Sequence, residues 1–124
     1  MLLDNLYFLQ EMVFDEASCT IKARVQLDTA NAIFEGHFPG NPVLPGVCQV
    51  EMVGELISRH YHKKYLLTSA RQIKFLSMVS PRDTSELLFS IRVEESGQSK
   101  QASAVCSFGS GEVFLKLNGT FSCQ

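Results

Sequence analysis

The sequence predicts a single α+β domain in which a curved antiparallel sheet wraps around one long central helix. Three observations lead there. Cys19 to Leu27 alternates strictly between apolar and polar residues, an apolar run at helical spacing follows a proline-rich loop, and beyond Thr84 apolar residues recur at every second position across three segments joined by short glycine-containing turns. One buried helix followed by a meander packs most simply as a sheet curved over that helix. The 124 residues, 45% hydrophobic and 19% charged, suffice for one core and leave no room for a second domain.

In chain order, Leu6 to Phe14 is apolar and either extended or partly helical, and Asp15-Glu16-Ala17-Ser18 turns the chain. Cys19, Ile21, Ala23, Val25 and Leu27 then face one way, against Thr20, Lys22, Arg24 and Gln26, as in a half-buried strand. The stretch Gly36 to Glu51, GHFPGNPVLPGVCQVE, follows. Pro39, Pro42 and Pro45 fix φ at three places and push Phe38, Asn41 and Leu44 toward extended conformations, so His37 rides on a stiff segment. Pro45 suits the first helical position. Val47, Val50, Val53, Gly54 and Ile57 carry the helix on to about His62, apolar through three turns and therefore expected to be buried.

After the helix, Tyr65 to Val79 contains an extended segment, and Leu87, Phe89, Ile91 and Val93 mark the next strand. Glu95-Ser96-Gly97-Gln98 turns into a strand with Ala102, Ala104, Cys106 and Phe108 on one face. Gly109-Ser110-Gly111 turns again into Val113, Leu115, Leu117 and Phe121. The edges of such a sheet need covering, and a dimer joining two sheets edge to edge would cover them.

Charge and cysteine usage exclude several function classes. A net charge of −2 argues against a general nucleic-acid binder. Arg59, Lys63, Lys64, Arg71, Lys74 and Arg82 nevertheless fall in one stretch with no Asp or Glu, leaving five basic against thirteen acidic residues elsewhere. That stretch reads either as a solvated helix end and loop or as a docking patch for an acidic partner. Cys19, Cys48, Cys106 and Cys123 are widely spaced with no C-x-x-C pair, which argues against structural zinc and for reduced, mostly buried thiols. The N-terminus, MLLDNLYFLQEM, has the pattern of neither a signal peptide nor a spanning helix, so a cytoplasmic protein is expected. His60 and His62 stand among cations, a setting that favours exposure over metal binding.

The proline-rich loop carries the chemistry. Leu44 has no side-chain oxygen to cap the helix, so the amides of Gly46 and Val47 are left for another acceptor, and the missing side chain of Gly46 lets a carbonyl approach. Glu51 lies one turn after Val47 among apolar neighbours, where burial would raise its pKa and favour a neutral, proton-donating acid. An imidazole at His37, this carboxyl and an uncapped helix start make an acid/base site with an oxyanion hole.

The pattern His37-Phe38-Pro39-Gly40-x-Pro42-x-x-Pro45-Gly46-x-x-x-x-Glu51 resembles the active-site signature of the 3-hydroxyacyl-acyl-carrier-protein dehydratases of bacterial fatty-acid synthesis. Ile73-Lys74-Phe75 and Ser80-Pro81 are similar to that family's strand and turn after the helix. The resemblance implies a hot-dog fold and a cofactor-free, metal-free hydro-lyase that converts (3R)-hydroxyacyl to trans-2-enoyl chains in fatty-acid or polyene-type lipid synthesis. It implies that His37 removes the α-proton, that Glu51 assists departure of the β-hydroxyl, and that the Gly46 amide, next to Val47, polarises the thioester carbonyl. It also implies a homodimer in which the His of one subunit works beside the carboxylate of the other, an acyl tunnel lined by Phe38, Val47 and Val50, and acidic acyl carrier protein as the partner of the basic stretch. Glu55 stands where the family usually has Gln, and like-charge repulsion would couple it to Glu51. A thioesterase of the same fold and a non-catalytic acyl-binding subunit paired with an active paralogue are the alternatives.

Overall fold

A computed structural model of the chain describes residues 6–36 and 42–124. The elements are β1 (Tyr7–Asp15), β2 (Thr20–Leu27), a short α1 (Ile33–Gly36), α2 (Gly46–Tyr61), β3 (Tyr65–Phe75), β4 (Glu86–Ser96), β5 (Ser99–Phe108) and β6 (Val113–Cys123). The strands form one antiparallel sheet in the order β1-β2-β4-β5-β6-β3. The segment whose type the sequence left open is thus a strand. Four strands follow α2, as the alternation predicts, while α1 has no counterpart in the periodicity.

The period-two pattern dictates the inner face. Ile21, Val25, Leu87, Phe89, Ile91, Ala104, Cys106, Leu115, Leu117 and Phe121 are buried against Cys48, Met52, Val53, Leu56 and Ile57 of α2. A Cβ on Gly54 would stand 3.4 Å from the Phe121 ring, so this glycine lets the helix settle closely onto β6. The helix expected to be buried is so on its sheet side, while Val47 is 66% exposed and Val50, Glu51 and Glu55 are half-buried. On the side away from the sheet, Glu55 meets Tyr7 of β1, while Val47 at the helix start stays exposed.

Both ends of α2 are tied to the strands. At its C-terminus His62 adopts a left-handed conformation (φ 56°) and returns its N–H to the Ser58 carbonyl. Ser58 Oγ accepts the Tyr65 N–H at 2.9 Å and so fixes where β3 begins. β3 then crosses β6 with two register shifts, between Leu67 and Ser69 and between Ala70 and Gln72. Gly119 permits the first, since a Cβ there would lie 2.8 Å from the Ser69 carbonyl oxygen. β3 runs back along the helix and delivers Phe75 to the start of α2.

Candidate active site at the start of the central helix

The helix begins one residue later than Pro45. That residue is the N-cap, with extended backbone (φ −60°, ψ 146°) and no side-chain cap, and not the first helical position expected from the sequence. Its carbonyl accepts from the Cys48 N–H at 3.0 Å and the Gln49 N–H at 3.2 Å. The N–H groups of Gly46 and Val47 have no acceptor among the described residues. Two donors at the positive end of a sixteen-residue helix therefore face whatever enters there.

The surroundings are apolar and partly open. Leu44 donates its N–H to the Val79 carbonyl at 2.8 Å, which brings the segment after β3 against the entry loop. Phe75 lies over Gly46 so closely that an added Cβ would stand 2.6 Å from its Cζ. With the ring in this position only glycine fits, a constraint the sequence did not disclose. An opening of about 450 Å³ lies beside it, bordered by Leu44, Gly46, Gln49, Phe75, Leu76 and Met78. Phe75 and Met78 are 52% and 67% exposed.

Glu51 lies one turn beyond Val47, on the exposed side of α2, and is half-buried within this chain, less than its apolar sequence neighbours suggest. The Cys48 thiol is pushed up, by its own burial first and then by the charge of Glu51, so this cysteine is a neutral neighbour of the carboxylate. Glu55 has a different partner from the one expected: Tyr7 on β1 donates its hydroxyl to Glu55 Oε1 at 2.7 Å. Burial raises the Tyr7 pKa, the bond to Glu55 raises it further, and Arg59 opposes both. Sequence reasoning missed Tyr7, whose strand placement was the signal lacking.

Of the remaining residues singled out by sequence, His37 and Phe38 lie outside the described residues. Val50 is half-buried and Val47 exposed on α2. The six cations are all exposed but do not gather. Lys63 and Lys64 follow the C-terminal end of α2 and Arg59 sits in its last turn, whereas Lys74 ends β3 beside Phe75 and Arg82 lies in the turn closed by Asp83 N–H and the Ser80 carbonyl. Nine residues of strand, Tyr65 to Ile73, stand between Lys64 and Lys74, an extended span of roughly 30 Å. Arg71 lies between them, at a polar depression on the outer face of the sheet shared with Arg92, Gln101 and Asn118.

Two expectations about side chains away from the site are corrected. His60 is not simply exposed; it stacks on Phe14 with ring centroids 4.2 Å apart, and burial, then His62 and Lys100, lower its pKa. Of the four free cysteines only Cys48 and Cys106 are buried. Among the described residues no three His, Cys, Asp or Glu side chains gather as metal ligands, and no helix is long and apolar enough to cross a membrane.

Comparison with known proteins agrees with this architecture. The ApeI-like family model, described as ApeI dehydratase, matches residues 13–110. The 3-hydroxyacyl-[acyl-carrier-protein] dehydratase FabZ of Clostridium acetobutylicum is 36% identical over 62 residues, 44% of each chain. FabZ of Fusobacterium nucleatum is 29% identical over 86 residues, 65% of this chain and 60% of that one. These matches span less than two thirds of the length of either relative. The solved dehydratase heterocomplex ApeI:P from Xenorhabdus doucetiae superimposes with a TM-score of 0.77 at 20% identity, over 94% of this chain and 97% of that one. A hypothetical thioesterase protein from Streptococcus pneumoniae, solved with coenzyme A, gives 0.65 at 10% identity, over 95% and 85%. The fold is the hot-dog fold, a six-stranded antiparallel sheet around one helix. With four fifths of its length matched by the model, and the uncapped helix start and Glu51 inside the match, the chain belongs to the ApeI-like dehydratase family.

Proposed function

We propose that the protein removes water from (3R)-3-hydroxyacyl chains held as thioesters on acyl carrier protein, giving the trans-2-enoyl thioester. The observation that carries this reading is the start of α2, where the Gly46 and Val47 amides are open and Glu51 stands one turn further on. The thioester oxygen accepts from the Gly46 N–H, so negative charge that develops on it when the α-proton leaves meets the helix N-terminus. His37 takes that proton. Glu51 gives its own proton to the β-hydroxyl, which departs as water while the Cα–Cβ double bond forms, and the proton on His37 restores the acid form of Glu51 through solvent or product water. No cofactor or metal takes part in these steps.

Two copies make the site. β3 is an edge strand, exposed along nearly its whole length, and Val47, Phe75 and Met78 present apolar surface beside it. Pairing this edge with a second copy would cover that surface and set Glu51 against the His37 loop of the other subunit. The acyl chain then follows Val47 and Val50 along the uncovered side of α2, with Phe38 beside them. Lys74 and Arg82, at the same end as Gly46, are the cations best located to meet an acidic carrier in the cytoplasm, with Arg59, Lys63, Lys64 and Arg71 as more distant support.

Incubation with a 3-hydroxyacyl carrier or pantetheine thioester tests the reading: the product is lighter by one water, and His37→Ala and Glu51→Gln each lower the rate by roughly a hundredfold or more. Release of free acid instead would make the protein a thioesterase, and tight binding without turnover an acyl-binding subunit. Lys74→Glu with Arg82→Glu raises KM for the carrier substrate and leaves the pantetheine substrate nearly unchanged, whereas an equal loss on both would remove the docking role.

A further inference from the structure

Gln49 is a core residue with a polar atom left over. It is only 4% exposed, and its Nε2 donates to the Leu44 carbonyl at 3.1 Å. Its Oε1 is buried with no hydrogen-bond partner among the described residues. The amide cannot be turned around without setting an oxygen against the Leu44 carbonyl, so the leftover atom is an acceptor. A leucine or methionine would fill the same volume without an unpaired polar group, so packing alone does not call for glutamine.

The side chain that carries this buried acceptor borders the opening beside Gly46 and Phe75, where the Gly46 and Val47 amides also lack partners among the described residues. The opening therefore has donors for a carbonyl at the helix start and, in its wall, a glutamine whose spare acceptor suits an N–H or O–H group. Gln49 and Glu51 are two residues apart on one helix, so their side chains leave the axis about 160° apart. With a thioester carbonyl on the Gly46 amide and the β-hydroxyl on the Glu51 side, the sulfur and its arm run toward Gln49. In a pantetheine-type arm the first polar group after the sulfur and two methylenes is an amide N–H.

We propose that Gln49 Oε1 accepts a hydrogen bond from this first amide N–H of the thiol arm. Gln49 is then a positioning and specificity residue: it selects amide-bearing thiol arms and fixes the direction in which the thioester lies across the helix start. The inference rests on the dehydratase reading for the placement of the acyl half, but its own contact is with the arm.

The test uses two acyl pantetheine thioesters that differ only in that amide, one natural and one with an ester oxygen in place of the N–H, and two proteins, wild type and Gln49→Met. Wild type loses roughly five- to tenfold in affinity or kcat/KM on the ester arm. Gln49→Met binds both arms with equal, reduced affinity and melts near the wild-type temperature, because it removes the bond to the Leu44 carbonyl together with the unpaired buried acceptor. Binding is measured by calorimetry with saturated acyl chains, which have no β-hydroxyl to lose, so this result does not depend on turnover. If wild type and Gln49→Met lose equally on the ester arm, or if Gln49→Met unfolds earlier while Gln49→Leu does the same and neither changes arm preference, Gln49 only braces the Leu44 turn and the proposal is overturned.

Discussion

Gly46 combines two demands at one residue. Its N–H has no acceptor among the described residues, and an added Cβ would stand 2.6 Å from the Phe75 ring as that ring lies now. Gly46→Ala keeps the N–H and improves helix propensity, while the half-exposed ring can swing away, so the melting temperature should stay near wild type. The displaced ring narrows the site, and kcat/KM should fall on the order of 100-fold; adding Phe75→Ala should recover part of the loss. A large drop in stability without the kinetic effect would show that the glycine serves only packing. Tyr7 and Glu55 form the second local unit. Tyr7→Phe leaves a half-buried carboxylate without its 2.7 Å partner and should cost about 1 kcal/mol in chemical denaturation, while Glu55→Gln retains an acceptor and should cost less. The loop prolines, Gly46 and Glu51 were legible because each residue type has few reasons to occur in that order. Tyr7, Phe75 and Gln49 were not, because their importance comes from what a distant strand or turn brings beside them.

At the scale of elements, α2, β2, β4, β5 and β6 follow from periodicity with shifted boundaries, whereas β3, exposed along nearly its whole length, was expected only as an extended segment within Tyr65 to Val79. β1 was ambiguous because its residues alternate between half-buried and exposed, with no fully buried side to mark a period. The order β1-β2-β4-β5-β6-β3, with β3 crossing to the far edge, depends on non-local pairing that no local pattern encodes. The far end of α2 has its own behaviour. His60 stacks on Phe14, and its pKa is lowered from the usual 6.5 mainly by burial. The unfolded chain therefore takes up this proton first as pH falls below about 6.5, and the folded state loses stability until its own, lower pKa is passed. His60→Phe should keep the stacking and flatten the decline of melting temperature between pH 7.5 and 5; an unchanged decline would assign it to other groups.

For the whole molecule, the fold class was readable from one apolar helix among alternating strands, and the structure adds the one-sided burial of α2 from which the dimer is proposed. One side of α2 holds the sheet, while the other leaves Val47 and Glu51 facing outward next to the exposed β3 edge. Sedimentation should accordingly show a dimer at micromolar concentration. The central claim is that each active site takes His37 from one copy and Glu51 from the other. Its most direct test is to co-express differently tagged His37→Ala and Glu51→Gln chains, isolate the mixed dimer and measure loss of water from a 3-hydroxyacyl thioester. Each variant alone should be inactive, and the mixed dimer should recover about half of the wild-type rate, since one of its two sites holds both intact groups. A mixed dimer as inactive as its parents, formed from folded chains, would contradict the shared site.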